Sequence, residues 1–460
     1  MSRARKPGKQ MPTRKRDRQE DELTKINPNA AGIDLHRDEM WVSVSVVQDD
    51  IPLRRFGMNT PDLNACADWL EGCGIETVAM ESTGVYWIPL YEILEARGFE
   101  AYLVNARHAK NLPGRKNDEA DAQWLRRLHT FGLLNNSFRP DSEMRALRAY
   151  MRHRSGLIEH RAAHIQHMQK ALLQMNVRLS PAVSDITGVT GMAIIHAILV
   201  GERDPVHLAQ LRQPGCAKSE AEFVKALTGN YREEHLFALK QALALYKAYT
   251  QQIRECDQEL ERKFSALKPV HDNDLPPLDT SDKRNTHSKN APAYDARTLL
   301  YQKLGVDLVA VHGLNEVTAQ IIVTEVGTDM SRWKNEKHFC SWLGLTPHND
   351  ISAGKVLRSR SLKTRNRAGQ AFRLAAQSAS RSNSEYGVFY RRMRARLGPK
   401  KAMVATAHKI ARVVYFMLRD RQPFHSLSAE EYAQRARDRE LARLTKRASK
   451  LGFTLAPVSA

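Results

Sequence analysis

Between residues 28 and 140 the hydrophobic period switches repeatedly, and this switching restricts the fold more than any other feature of the chain. The runs "AAGIDLH", "MWVSVSVVQ", "TVAMES" and "EAYLVNA" are short, β-rich and bounded by turn residues or helical patterns. Interleaved with them are stretches of helical period, "DLNACADWLEGCG" and "PLYEILEARG". Such alternation predicts a mixed α/β domain over 28–140. Only the polar "HRDE" separates the first two runs, which predicts an antiparallel hairpin before the helices begin.

Beyond residue 140 the helical period takes over. The segments "RALRAYMRHRSGLIEHRAAHIQHMQKALLQMNV" and "FALKQALALYKAYTQQIRECDQELERKFSAL" predict a long helical or coiled-coil region over 141–267. It is expected to reach outward more than to build a compact core, and to serve nucleic-acid binding and oligomerisation. Residues 268–297, polar and proline-containing without hydrophobic periodicity, read as a flexible linker. A third region follows over 298–420, then a tail over 421–460. Residues 1–27 read as a disordered basic arm, since the first twenty residues hold eight Lys or Arg and no apolar run resembling a signal peptide.

Charge points to the partner. The chain has 71 Lys and Arg against 51 Asp and Glu, a formal net charge of +20, which favours a polyanion and above all nucleic acid over an anionic membrane surface. The longest apolar stretch, "GMAIIHAILVG", is too short to span a bilayer and contains His196. Cys66, Cys73, Cys216, Cys256 and Cys340 form no C-x-x-C pair, so neither a disulfide framework nor a zinc knuckle is indicated, and a reducing cytoplasm fits.

Against this basic background several carboxylates stand out. Asp34 lies in the first strand and Glu81 ends the strand "TVAMES". Asp118 and Asp121, in "GRKNDEADAQWLRRLH", sit at a helix start with i, i+3 spacing, which puts both on one face. Each alone has an ordinary reading: a turn cap, a surface ion pair, a complement to the helix dipole. Together, in one α/β domain, they make a hard-oxygen donor set of the kind that binds Mg²⁺ for phosphoryl transfer. Trp124 and Leu125, like Tyr86 and Trp87, are expected to anchor these elements in the core.

In the third region Ser352 precedes Ala-Gly-Lys in a turn, followed by a dense run of Arg and Lys. A serine beside cations can attack a phosphodiester once its hydroxyl is activated and the phosphate charge is neutralised. Ser359 and Ser361 lie close by, no histidine partner is evident, and the basic run by itself reads as a phosphate-binding face. The segments 185–205 and 308–329 each carry a glycine turn followed by an amphipathic helix, resembling helix-hairpin-helix elements or, more plainly, glycine-capped helix pairs. His153, His160, His164 and His167 share one side of a helix and read as a polar stripe facing RNA or another helix rather than as a metal site.

The strings "GIDLH", "MESTGVYWIPLY", "LPGRKNDEADAQWLRRLHTFGLL", "VHGLNEVTAQIIVTEVG" and "WLGLTPHNDISAGKVLRSR" resemble the insertion-sequence-110 transposases, in particular the 1111 subgroup of DEDD transposases, over most of 28–420. The resemblance implies a RuvC-like, ribonuclease-H-like N-terminal domain whose acids Asp34, Glu81, Asp118 and Asp121 hold Mg²⁺, with Mn²⁺ as an alternative. It implies a mainly helical C-terminal transposase domain with a helix-hairpin-helix element, in which Ser352 attacks DNA. Arg115, Lys116, Lys355, Arg358, Arg360, Lys363, Arg365 and Arg367 are the expected nucleic-acid contacts. It further implies a bacterial, nucleoid-acting enzyme that cuts and rejoins target and donor DNA under an element-encoded bridge RNA. The family's composite site joins the acids of one subunit to the serine of another within a tetramer, a dimer of dimers. Two departures are small: Asn117 where many relatives have Thr, and Ala353 where Gly is common. The competing readings are a hydrolytic RuvC-like resolvase or nuclease using the same acids with water, and a non-enzymatic nucleic-acid-packaging protein.

Overall fold

The structure is a computed structural model that describes residues 24–82, 84–105, 118–270, 275–278, 289–361 and 366–456. The chain divides into two compact units, residues 1–139 and 140–460. Most of the expected basic arm and much of the expected linker lie outside the described residues.

In the first unit the apolar runs form a five-stranded sheet. Its elements in chain order are β1 (Ala30–Leu35), β2 (Glu39–Ser43), β3 (Leu53–Gly57), α1 (Thr60–Gly72), β4 (Thr77–Glu81), α2 (Trp87–Ala96), β5 (Glu100–Val104) and α3 (Asp118–Thr130). The sheet order is β3-β2-β1-β4-β5. The first three strands are antiparallel, and β4 and β5 run parallel to β1. Every residue of β1 and β4 is buried, as expected of strands covered on both faces. Alternation then sorts their side chains. Ile33, Leu35, Val78, Met80 and Leu103 pack with Leu63, Leu70, Leu90 and Leu94 of α1 and α2. Ala79 and Val104 face the other way, toward Leu125 of α3.

The expected second strand is shorter than its apolar run. It stops at Ser43, and Val46 and Val47 are exposed in the turn that follows. The edge strand β3, "LRRFG", has no counterpart among the expected strands, because its half-buried residues and paired arginines show no apolar alternation.

The second unit opens with α4 (Ser142–Gln174), whose first turn is capped by the Asp141 carboxylate accepting from Met144 N at 2.8 Å. Its antiparallel partner is α9 (Glu233–Ala266), as the Arg154–Asp257 and His160–Tyr249 contacts require. Between them come α5 (Leu179–Ala182), α6 (Val189–Leu199), α7 (Pro205–Gln210) and α8 (Glu220–Leu227). The long helices do more than reach outward: Met168, Leu172, Ile194, Ile195, Phe223 and Leu239 close a compact core at one end of the pair.

The remainder of the unit holds α10 (Ala296–Leu304), α11 (Glu316–Val326), α12 (Glu336–Trp342), the hairpin β6 (Pro347–Ser352) and β7 (Lys355–Ser361), α13 (Arg367–Ser380), α14 (Glu385–Leu397), α15 (Pro399–Asp420) and α16 (Ala429–Lys450). Phe339 of α12, Phe372 of α13 and Tyr415 of α15 form its aromatic centre. The α11 helix is bound to α4 through Glu325, which accepts from Arg152 Nε at 2.9 Å and Nη2 at 2.8 Å. All five cysteines are free, and burial pushes the Cys66 and Cys340 thiols up to about 12. Among the described residues no helix is long and apolar enough to cross a membrane.

Candidate functional site

Two adjacent parallel strands deliver the first two acids. The register pairs Ile33 with Met80, so Asp34 and Glu81 follow side by side at the carboxyl ends of β1 and β4, where open α/β sheets place their sites. Both follow the parity of Gly32 and Ala79, so both point to the face that α3 covers. Asp34 is 6% exposed and Glu81 5%, a degree of burial that isolated carboxylates do not tolerate.

The helix brings the other two. A Cβ on Gly32 would overlap Arg126 N and Ala122 O of α3, so the bare glycine backbone is what lets this helix lie directly on β1. Ala122 and Leu125 are buried in that contact. Asp118 and Asp121 occupy the first turn, where their charge complements the helix dipole. That ordinary role accounts for their tolerance there but not for their neighbours.

Asp34 has a further partner, His36, that its sequence context did not single out. His36 Nε2 lies 3.2 Å from Asp34 Oδ2 and 3.4 Å from Asp118 Oδ1. Donor atoms of Asp34, His36 and Asp118 all fall within 4.8 Å of one another, the one such metal-capable group among the described residues. Burial pushes the Asp34 carboxyl above its usual range; His36 opposes this, and the charges of Glu81 and Asp121 reinforce it. The four acids singled out in the sequence thus act on one another electrostatically or share a donor cluster. The available signal for His36 was its position two residues after Asp34, just beyond the end of β1 and at the start of the tight turn into β2.

A divalent cation fits this donor set. Carboxylate oxygens suit Mg²⁺ or Mn²⁺, and a cation would relieve the mutual repulsion that burial makes costly. The imidazole nitrogen is the donor that Mg²⁺ favours least.

Tyr86 does not anchor the core: it is exposed, and the loop residue Val85 beside it is exposed too. Trp87 is half-buried, with the Arg139 guanidinium 4.8 Å from its ring centroid. Leu125 is buried as expected.

In the second unit Ser352 is the last residue of β6. It pairs with Lys355 across a two-residue loop in which Ala353 has φ 47° and Gly354 φ 74°. Both values lie in the left-handed region that two-residue hairpins require, and Ala353 occupies it against its own preference. Lys355, Arg358 and Arg360 lie on β7 and are exposed. Arg367 opens α13 and is half-buried. Arg115, Lys116, Lys363 and Arg365 lie outside the described residues.

The two glycine turns are closely packed. In the first, Asp185 accepts from Thr187 N at 3.0 Å, and a Cβ on Gly191 would overlap Ile186 O. In the second, a Cβ on Gly313 would overlap Ala375 O of α13, so this glycine serves close packing. His160 and His164 stack on Tyr249 of α9, at 5.6 and 5.3 Å between ring centroids, so these two histidines face another helix.

No curated protein matches the chain. Residues 31–177 match a family model for DEDD transposases of the IS110 type, described as a transposase, and so span the strands, the acids and the first long helix. Residues 308–391 match a model described as transposase, IS116/IS110/IS902 family, which includes Ser352 and the whole hairpin. These two models of one family, matched in sequence order and together covering just over half of the chain, place it among the IS110-family transposases.

Proposed function

We propose that this transposase breaks and rejoins DNA strands with the carboxylates of its first unit and the serine of its second. Asp34, Glu81, Asp118 and Asp121 would hold Mg²⁺ in a RuvC-like domain, with His36 hydrogen-bonding the carboxylates at the edge of the set. The observation that carries this reading is the burial of Asp34 and Glu81 at neighbouring strand ends, with Asp118 and Asp121 set against them by α3. The sheet order and strand directions agree with a ribonuclease-H-like domain. When bound, the cation would supply Lewis-acid stabilisation of the scissile phosphate.

Ser352 is the proposed nucleophile, forming a phosphoserine link to DNA, with Lys355, Arg358, Arg360 and Arg367 neutralising nearby phosphates. Acids and serine belong to separate units of the chain, and the proposal completes the site between protomers of a tetramer built as a dimer of dimers. With aromatics at 7%, the chain has few base-stacking groups, so sequence choice is assigned to pairing by an element-encoded bridge RNA. The 1111 subgroup remains the proposed place of the chain within the family.

Incubation with element DNA and Mg²⁺, followed by denaturing electrophoresis, tests the chemistry. A covalent protein–DNA adduct is expected, lost in Ser352→Ala, retained in Ser359→Ala, and reduced at least 100-fold in Asp34→Asn and Glu81→Gln. Strand cleavage without any adduct would favour a hydrolytic nuclease instead. DNA bound but left uncut by the parent and by all the acid variants alike would leave only a packaging role. Sequencing of copurified RNA tests the guide.

A further inference from the structure

We propose that Leu357 is a phase-setting bulge residue that turns Arg358 and Arg360 onto the hairpin face carrying Ser352 and Lys355, and that this face takes the backbone of one DNA strand. In an unbroken β7, Lys355, Leu357 and Ser359 would share one face, and Val356, Arg358 and Arg360 the other. The observed register is different. Ser352 pairs with Lys355 and Ile351 with Val356, yet Asp350 pairs with Arg358, Asn349 with Ser359 and His348 with Arg360. Leu357 is the extra residue at the register shift between Asp350 and Ile351.

Directly opposed residues share a face, and Ser352, Asp350 and His348 alternate along β6 on the same side. All three cations therefore join Ser352. A side-chain distance agrees: His348 Nδ1 is 3.6 Å from Asp350 Oδ1, as two side chains on one face should be. The opposite face carries Ile351 with Val356 and Asn349 with Ser359, and none of the three cations.

This arrangement fits a phosphate chain. The cations stand opposite alternate residues of β6, about 7 Å apart along the strand, close to the separation of successive phosphates in one nucleic-acid strand. The whole of 351–360 is exposed, so no described residue of the unit covers the face. The partner is taken as DNA because the hairpin lies within the matched transposase segment.

The inference rests on the reading of Ser352 as the attacking group, and one series of variants separates the two. Insertion of a threonine between Asp350 and Ile351 gives Leu357 a partner, removes the bulge and turns Arg358 and Arg360 away from Ser352. Insertion combined with deletion of Leu357 moves the extra residue to β6 and restores the phase. The full-length protein is assayed for adduct formation on element DNA, and for affinity to a single-stranded DNA oligonucleotide at several salt concentrations.

The insertion is expected to lower adduct formation at least tenfold. It should also reduce the slope of log affinity against log salt by about 1.4, or ~0.7 for each of two lost phosphate contacts. The combined variant should recover both. A combined variant that stays as defective as the insertion, or an insertion that behaves like the parent, overturns the proposal. A slope change seen with an RNA oligonucleotide and not with DNA overturns its assignment to DNA. Ser352→Ala should lose the adduct with an unchanged slope; an adduct that survives it removes the nucleophile reading while the slope series still decides the hairpin face.

Discussion

His129 shows how a single side chain can fasten a site-bearing element. It lies near the end of α3, 1% exposed, with Nε2 2.8 Å from Thr77 Oγ1 of β4. The one hydroxyl proton of Thr77 goes to Glu100 O at 2.9 Å, so the imidazole must be the donor in the other contact. Burial holds its pKa down to about 4, against 6.5 for an unperturbed ring. Above pH 6.5 both folded and unfolded states carry a neutral ring, and the group has no differential effect. As pH falls from 6.5 toward 4 the unfolded chain takes up the proton first, and the fold loses about 3 kcal/mol. Urea unfolding followed on the first unit should show this loss, and His129→Gln should flatten that part of the profile. An unchanged slope in His129→Gln would assign the acid sensitivity to another group. Asp34 and Glu81 could be read from the sequence because a charge within or at the end of an apolar run is conspicuous. The tie between His129 and Thr77 could not, since it joins distant positions whose side chains meet only through the crossing of α3 over the sheet.

At the scale of elements, β1 and α3 were both legible from their periods, but the distance between them was not. That distance depends on Gly32. With a Cβ overlapping Arg126 N and Ala122 O, Gly32→Ala must push the helix backbone outward, because no flexible side chain is there to move aside. Overpacking of this kind costs about 1–3 kcal/mol. The functional consequence is separate: Asp118 and Asp121 move away from Asp34 while remaining in the same helix. Scanning calorimetry with and without Mn²⁺ reads both effects. The parent should gain thermal stability from the cation, and Gly32→Ala should start lower and gain little. Gly72→Ala is the contrast, because a Cβ there meets nothing and lowers the entropy of the unfolded chain. It should leave the metal response intact. An equal response in Gly32→Ala would detach the close approach of α3 from cation binding. The edge strand β3 escaped detection for a related reason: its pairing with β2 is a property of the sheet, not of its own sequence pattern.

For the chain as a whole, the division at residues 139 and 140 leaves the long helices and the Ser352-bearing region in one unit, and a buried polar network explains much of their union. Arg154 of α4 and Asp257 of α9 have side chains 3% exposed and meet with Nε–Oδ1 at 2.5 Å and Nη2–Oδ2 at 3.2 Å. Arg154 also donates to Asn290 O at 3.1 Å, and Asp257 accepts from Ala293 N at 3.2 Å. Next in the chain, the Tyr294 hydroxyl accepts from Gln320 Nε2 of α11. The stretch read as a linker therefore ends in residues that join three helices. Composition alone could not reveal this, because Asn290, Ala293 and Tyr294 lie in a polar sequence and are held largely through backbone groups. Removing one charge should be worse than removing both. Asp257→Ala leaves a buried guanidinium without its carboxylate and should cost about 3–5 kcal/mol, whereas Arg154→Met with Asp257→Leu should lose much less. Urea unfolding of the single and double variants gives the coupling directly. If the pair serves only as charge compensation, the double variant returns close to the parent. If it also orients the 290–294 segment, stability returns but adduct formation does not, because α11 and the serine-bearing region following it would lose a fixed connection to the long helices.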